Sequence, residues 1–240
     1  MLYVYGIADN AFEVLRGAGL LNSDVFAVPA GCLAAAASKL AQGGIETTPQ
    51  GVWRHEQVLR QLMQDHAVLP LRFGTICRDR ETLTDRLMEA SDDLVRGLGR
   101  VRGKVEIALR IVDEREHEAH PVPSETPTVD AIGGGRGTAY LRARRRHHAA
   151  EMGREARAER VGKMLSAYID VGAEDLVCSV APEGDHAVSV SCLLGRDQLA
   201  TLQAALERFQ SDHPAIGLSW TGPWTPYSFV APSLFGVGLP

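Results

Sequence analysis

A charged stretch rich in proline and glycine limits what this chain can fold into. Residues 113–135 read "DEREHEAHPVPSETPTVDAIGGG". Charges come first, then prolines and threonines, then three glycines, so no part of the stretch could bury an apolar face. Boundaries between domains fall in segments of this kind. The sequence therefore predicts a linker at 113–135 between domains at 1–112 and 136–220, followed by a C-terminal segment at 221–240.

The residues before the linker predict a sheet whose helices come late in the sequence. Strands are predicted from "LYVYGI", "DVFAVPA", "CLAAAASKL", "AVLPLRFG" and "KVEIALRIV", and helices are predicted at 52–66 and 79–98. The last strand alternates apolar and polar residues, which is typical of a strand with one buried side. The order β, β, β, α, β, α, β favours a modified ferredoxin-like mixed sheet with helices on one face.

The residues after the linker predict a smaller α/β domain that begins with a long helix. The helix runs from Gly137 to about Asp170 without a proline. "DLVCSVAP" and "HAVSVSCLL" then predict two strands, "RDQLATLQAALERFQSDH" an amphipathic helix, and "AIGLSWTGP" a last strand. The chain as a whole is thus expected to be an α+β protein of two domains.

Composition narrows the class of protein. The formal net charge of −5 gives no general attraction to nucleic acid or to anionic membranes. The N-terminus lacks the basic start of a secretory signal, and no apolar stretch has the length of a membrane span. The four cysteines have no CxxC spacing and are expected to be ordinary core residues in a reducing compartment. We therefore expect a soluble cytoplasmic protein.

Two short motifs resemble chemical signatures but lack an essential residue. "HEQVL" at 55–59 begins like a zinc-protease helix, yet Leu59 stands where the second histidine would be. "GGGRGTAY" at 133–140 lacks the lysine of a phosphate-binding loop, and no apolar strand precedes it. We therefore predict no catalytic residue, no metal site and no cofactor.

A basic segment lies within the predicted long helix. Eight arginines and three glutamates stand between Arg136 and Arg160. Three interpretations stay open, namely a solvated helix face with ion pairs, a surface for a protein partner, and a surface for nucleic acid. The candidate partner-binding arginines are Arg142, Arg144 and Arg145.

The strand motif "LPLRFG" places Arg72 between Leu71 and Phe73. Neighbouring strand residues point to opposite sides, so Arg72 faces away from its two apolar neighbours. If helices cover that side, Arg72 needs a carboxylate or carbonyl partner, or else binds a ligand.

The segment "TGPWTPYSFVAP" at 221–232 combines prolines with large aromatic residues. Proline biases the preceding residue toward extended backbone and supplies no backbone donor, so we expect an ordered, extended strap. We predict that it is a structural clasp packed against the second domain or the domain junction. A direct partner-binding site is the alternative, with Trp224, Tyr227 and Phe229 as its candidate residues.

Several stretches, taken together and in order, resemble the gas vesicle protein F/L family. They are "LYVYGI", "HEQVLRQLMQDHAVLPLRFGT", "GKVEIALRI", "GRGTAYL" and "LSWTGPWTPYSFV". A common form of the last motif in that family has proline where this chain has Thr225, a departure expected to loosen the turn. The motif residues, expected to be structural as much as functional, are His55, Pro70, Arg72, Phe73, Gly74, Tyr140, Gly222 and Pro223.

The resemblance implies a non-enzymatic accessory role in building gas vesicles in the cytoplasm. Its implied partners are the small hydrophobic shell protein, bound during nucleation or early assembly and kept from aggregating, and other gas vesicle accessory proteins. No cofactor, nucleic acid or membrane is implied. Two alternatives stay open, namely a small-ligand enzyme with His55 and Arg72 in a pocket, and nucleic-acid binding through the arginine-rich helix.

Overall fold

The computed structural model describes residues 1–40, 45–113, 136–169, 177–183 and 187–230. The chain forms two compact units, the first made of Met1–Glu106 together with Pro223–Pro240, and the second of Ile107–Gly222. The first unit is therefore discontinuous in sequence. Residues 114–135 of the predicted linker lie outside the described residues, so the predicted domain limits remain predictions.

The first unit is built on an antiparallel sheet with strand order β2-β3-β1-β4, and β5 also pairs with β1. The strands are β1 (Leu2–Ala8), β2 (Phe26–Ala30), β3 (Leu33–Lys39), β4 (Val68–Pro70) and β5 (Ile76–Cys77). Every described pairing in this sheet is antiparallel, so the sheet is not mixed as predicted. All seven residues of β1 are buried, which means that both faces of the sheet are covered at its centre.

Three helices complete the first unit, namely α1 (Pro49–Leu62), α2 (Arg80–Glu89) and α3 (Ser91–Val101). Asp79 caps α2 by accepting a hydrogen bond from the Thr82 amide. The single helix predicted at 79–98 is in fact two helices that meet at Ala90. Asp92 and Asp93 lie in the first turn of α3, where acidic side chains favour a new helix start.

The helices cover both faces of the first sheet rather than one. Val68 packs in a core cluster with Leu59 and Leu62 of α1, whereas the side chain of Leu69 lies against Gly97 of α3. Neighbouring residues of a strand point to opposite faces, so α1 and α3 lie on opposite sides of β4. The prediction of helices on one face was wrong because it did not take into account that β1 is apolar on both sides.

Within the described residues, the second unit contains a four-stranded sheet with strand order β7-β8-β6-β9 and two α-helices. Its elements are β6 (Lys104–Asp113), α4 (Arg136–Ile169), β7 (Val177–Glu183), β8 (Ala187–Gly195), α5 (Leu199–Asp212) and β9 (Ile216–Trp224). The order of elements from α4 to β9 is the predicted one, and the α+β class is confirmed. Strand β6, predicted as the last strand of the first sheet, lies between β8 and β9 instead.

The apolar residues of the alternating strand β6 contribute to the core of the second unit. Ile107, Leu109 and Ile111 face the core of the second unit. They pack there with apolar residues of α4, β8 and α5, such as Leu165, Val190 and Phe209. Within the described residues, no helix combines the length and the apolar character that crossing a bilayer requires.

Two of the described cysteines are core residues and one is not. Cys77 and Cys192 are buried, as expected, whereas Cys32 is exposed at the turn between β2 and β3.

Candidate functional site

The C-terminal segment forms an ordered strap, Pro223–Val230, that packs on the first unit. It begins with the last two residues of β9 and contains a short 3-10 turn at Tyr227–Phe229. Its side chains and amides contact α1, α3 and the start of β6. These contacts lie within the first unit, whereas the sequence analysis placed them on the second domain or the domain junction.

Glu56 holds the first half of the strap. The residue is 6% exposed, and its Oε1 accepts hydrogen bonds from the amide of Thr225 at 3.2 Å and from the hydroxyl of the same residue at 3.0 Å. Arg60 Nε donates to the same oxygen at 3.2 Å. Hydrogen bonds to an ionised carboxylate are stronger than neutral ones, so this buried carboxylate is compensated by several donors.

Glu106 holds the second half of the strap in the same way. It is also 6% exposed, and it accepts from the Ser228 amide at 2.9 Å and the Ser228 hydroxyl at 2.6 Å. The strap contains Pro223 and Pro226, which have no amide hydrogen, so it cannot form a full sheet ladder. The two carboxylates instead accept the amides of Thr225 and Ser228, which lie three positions apart in the strap.

Tyr227 lies between these two anchor points. Burial of its phenol, together with the charge of Glu56 and a hydrogen bond to that residue, raises the pKa of Tyr227 above its ordinary value. The hydroxyl is therefore protonated and available as a donor. The residue as a whole is still 38% exposed, so the ring contributes to the surface.

Arg60 lies between two tryptophans. Its guanidinium is 5.5 Å from the centre of the Trp53 ring and 4.7 Å from that of Trp224, and the two rings meet edge to face at 6.5 Å. Arg60 also donates to the carbonyl of Pro223 at 2.9 Å. One arginine thus binds Glu56, the strap backbone and both rings, which fixes the tryptophan side chains.

At the far end of the strap, Phe229 is buried with the Arg100 guanidinium 5.5 Å from its ring centre. Of the three candidate aromatic residues, Trp224 and Tyr227 reach the surface and Phe229 does not.

A second polar network lies in the core beside the strap. The Nε2 of His55 is 3.1 Å from the carbonyl of Leu71, which can only accept, so Nε2 carries the hydrogen. The Tyr3 hydroxyl then donates to His55 Nδ1 at 2.7 Å and accepts from the Gly74 amide at 3.2 Å. This hydrogen-bond chain fixes both ends of the loop from Leu71 to Gly74.

Burial lowers the pKa of His55 to about 4, while its hydrogen bond to the Leu71 carbonyl partly opposes the shift. The imidazole is therefore neutral near pH 7, as the hydrogen-bond chain requires. The ring also contacts Tyr3, Tyr5 and Phe73, so His55 is a structural core residue.

Several predicted motif residues belong to the loop or to the strap. Pro70 is buried at the end of β4, and Gly74 has a φ of +88°, a backbone conformation that favours glycine. Gly222 has a φ of +131° just before Pro223, which is exposed. Arg72 is also exposed, so it does not need the buried partner considered above.

The structure does not bring His55 and Arg72 together in a ligand pocket. His55 is 1% exposed with both ring nitrogens hydrogen-bonded, whereas the side chain of Arg72 is on the surface. Among the described residues, no His, Cys, Asp and Glu side chains group as metal ligands would.

The other candidate residues lie on α4. Arg144 and Arg145 are exposed, and the side chains of Arg142 and Tyr140 lie outside the described part of the chain. The three interpretations of the arginine segment therefore remain predictions. Further along α4, Ala158 and Gly162 line a shallow groove of about 460 Å³ together with Val180 and Pro182 of β7.

Sequence reasoning missed the four residues that fasten the strap, namely Glu56, Thr225, Glu106 and Ser228. Glu106 lies on the polar side of the alternating strand β6, which predicts exposure. Thr225 was expected to loosen the turn, yet it is fully buried and donates twice to Glu56. One local feature could have pointed to Thr225 as an anchor, namely its hydroxyl within a strap whose prolines supply no backbone donor.

Comparison with known proteins gives consistent matches along the chain. A family profile described as "Gas vesicle synthesis protein GvpL/GvpF" matches residues 1–231. Gas vesicle protein F of Streptomyces sp. (strain CB03234) is 29% identical over 240 residues, covering 95% of this chain and 98% of that protein. Gas vesicle protein L of the same organism is 28% identical over 234 residues, covering 94% and 85%.

Solved structures agree with the fold. The crystal structure of GvpF from Anabaena sp. PCC7120 superposes with a TM-score of 0.68 at 18% identity, covering 96% of this chain and 98% of that one. GvpF from Microcystis aeruginosa gives the same TM-score at 16% identity. Because the family profile spans nearly the whole sequence, this chain belongs to the GvpL/GvpF family of gas vesicle synthesis proteins.

Proposed function

We propose that this protein is a non-enzymatic accessory factor that binds the small hydrophobic shell protein during nucleation or early assembly of gas vesicles. The observation that carries the proposal is the family match over residues 1–231, which includes residues of both units. In this role the protein acts in the cytoplasm beside growing vesicles and limits aggregation of the shell protein before it is incorporated.

The polar residues of the first unit support a binding role rather than catalysis. His55, Glu56 and Glu106 are buried and use their polar atoms to hold the loop and the strap. Groups engaged in this way shape a surface and are not directed at a substrate. The same geometry counts against the small-ligand enzyme, which requires His55 and Arg72 to line one pocket.

Co-purification tests binding directly. The tagged full-length protein, co-expressed with the shell protein, is expected to retain it, whereas an unrelated tagged protein of similar size and charge is not. If no shell protein is retained, or if deletion of the protein leaves vesicle formation intact, the proposal is wrong. Truncation after Ser219 is a poor variant for this purpose, because it removes the strap and its contacts with the first unit.

Aggregation is measured separately. Shell protein diluted out of denaturant is expected to scatter less light when the full-length protein is present in equimolar amount. Equal scattering with and without it would remove the anti-aggregation part of the proposal and leave the binding part standing.

A further inference from the structure

Four large side chains of α1 and the strap are exposed or partly exposed, and together they are here called the aromatic patch. Val52 and Trp53 of α1 are 44% and 49% exposed, Tyr227 is 38% exposed, and Trp224 is partly exposed. Trp53 contacts Trp224 directly, and Tyr227 bonds to Glu56, which lies one helical turn after Val52. The patch therefore joins the beginning of α1 to the strap.

The rings of the aromatic patch are fixed before any partner arrives. Arg60 contacts both tryptophans and the Pro223 carbonyl, and Glu56 holds Thr225 between Trp224 and Tyr227. Aromatic side chains that are already ordered lose little conformational entropy on binding. Such residues are the ones that contribute most to binding energy at protein interfaces.

The charge around the aromatic patch differs from that of the whole chain. The net charge of the protein is −5, yet Glu56 is the only acidic residue of α1 and it is buried. The exposed polar positions of this helix are glutamines, and two arginines are partly exposed. On the side formed by α1, the border of the patch thus carries glutamines and Arg60, which lies at both tryptophan rings, so this side is neutral to positive. Such a border complements a partner with carboxylates beside its apolar side chains.

We infer that the aromatic patch is the docking surface for an apolar segment of the shell protein that is flanked by carboxylates. The inference rests on the proposed function and adds the surface and the chemistry of the segment it binds. Apolar side chains of the segment contact the fixed rings of Trp53 and Trp224, and its carboxylates lie toward the arginines of α1.

Two matched tryptophans test the surface. Trp53→Gln removes an exposed ring from the patch, and Trp220→Gln removes one that is 40% exposed on β9 of the second unit. We expect retention of co-expressed shell protein by full-length Trp53→Gln to fall at least about tenfold, and that by Trp220→Gln to change less than about twofold. Thermal unfolding of both variants checks that the fold is intact.

Charge tests the chemistry of the partner. Gln57→Glu and Gln61→Glu place carboxylates on the exposed side of α1 and are expected to weaken binding several-fold, more at low salt than at high salt. The matched variants Gln57→Lys and Gln61→Lys are expected to bind at least as well as the unchanged protein. Equal effects of Glu and Lys would overturn the charge argument.

The outcomes separate the inference from the function on which it rests. If the unchanged protein does not bind the shell protein, the proposed function fails. If it binds and Trp53→Gln binds equally well, the function stands and the aromatic patch is the wrong surface. If Trp53→Gln keeps the shell protein but loses binding to vesicles of anionic phospholipid, the patch serves a membrane and the inference is overturned.

Discussion

His55 and Glu56 are neighbours on α1, both are buried, and they stabilise different parts of the first unit. His55 bonds to Tyr3 and Leu71 and so organises segments within the first 106 residues. Glu56 bonds to Thr225, which lies 169 positions further along the chain. A single helix therefore fixes both the loop after β4 and the strap that returns from the second unit.

The two residues also differ in how their networks can be broken. Neutral His55 has one donor and one acceptor, and both are used, so one added proton disrupts its hydrogen-bond chain. Glu56 only accepts, and its donors include charged Arg60, so its network fails when donors or the negative charge are removed. Each network can therefore be weakened by a substitution that leaves the other intact.

The largest effect is expected from His55→Ala. The substitution leaves the Tyr3 hydroxyl and the Leu71 carbonyl without their partner in the core and creates a cavity, so the free energy of unfolding should fall by about 3–4 kcal/mol. Urea unfolding measures the loss. The control His66→Ala removes a partly exposed histidine that follows α1 and pairs with Asp9, and it should cost about 1 kcal/mol or less. A loss below about 1 kcal/mol for His55→Ala would contradict the structural role.

The second largest effect is expected from acid, which should weaken the hydrogen bonds of His55. The pKa of His55 is about 4 in the folded state and about 6.5 unfolded, so the unfolded chain binds more protons below pH 6.5. The resulting stability is fully present above pH 6.5 and is lost as the pH falls toward 4, by at most about 3 kcal/mol. Urea midpoints between pH 7 and pH 4.5 should fall less for His55→Gln than for the unchanged protein. Parallel pH profiles would show that His55 does not titrate as expected.

Glu56→Gln and Glu106→Gln compare the two anchors of the strap. Each substitution keeps the size of the side chain but removes the negative charge of a carboxylate that accepts two hydrogen bonds from one strap residue. Each should therefore lower the free energy of unfolding by about 1–2 kcal/mol. Hydrogen exchange measures how fast the amide protons of Thr225 and Ser228 are replaced by solvent, and so how often each half of the strap opens. If the strap opens as one unit, either variant speeds exchange at both amides; if its halves open separately, each variant affects only its own partner.

The smallest effect is expected from Thr225→Val. Valine keeps the shape and the amide of threonine but loses the hydroxyl that donates to Glu56, so the cost should be about 1 kcal/mol. Thr201→Val, at an exposed position of α5, is the control and should be nearly neutral. A stabilised Thr225→Val variant would mean that the hydroxyl does not contribute to fastening the strap.

Local patterns in the sequence were sufficient to predict most helices and strands but not to predict how these elements are arranged in the fold. The alternation of β6 and the periodicity of α1 follow from burial on one side, which a short window of sequence displays. The sheet to which β6 belongs depends on pairing with β8 and β9, and no local pattern encodes that choice. The same limit explains why a mixed sheet with helices on one face was predicted.

The strap shows the limit most clearly. Its prolines and aromatic residues were enough to predict an ordered extended segment. Its anchors were not predictable, because the partner of Thr225 is a carboxylate 169 residues earlier, and a buried Glu56 looks like any polar residue of an amphipathic helix.

The discontinuity of the first unit has a consequence for the newly made chain. Residues Met1–Glu106 leave the ribosome first, and the 116 residues Ile107–Gly222 follow before the strap is made. At about 5–20 residues per second, synthesis of these residues takes roughly 6–23 s. During that interval Glu56 and Glu106 have no strap donors and Trp53 has no Trp224 beside it. The first unit can therefore finish folding only after the residues of the second unit have been translated.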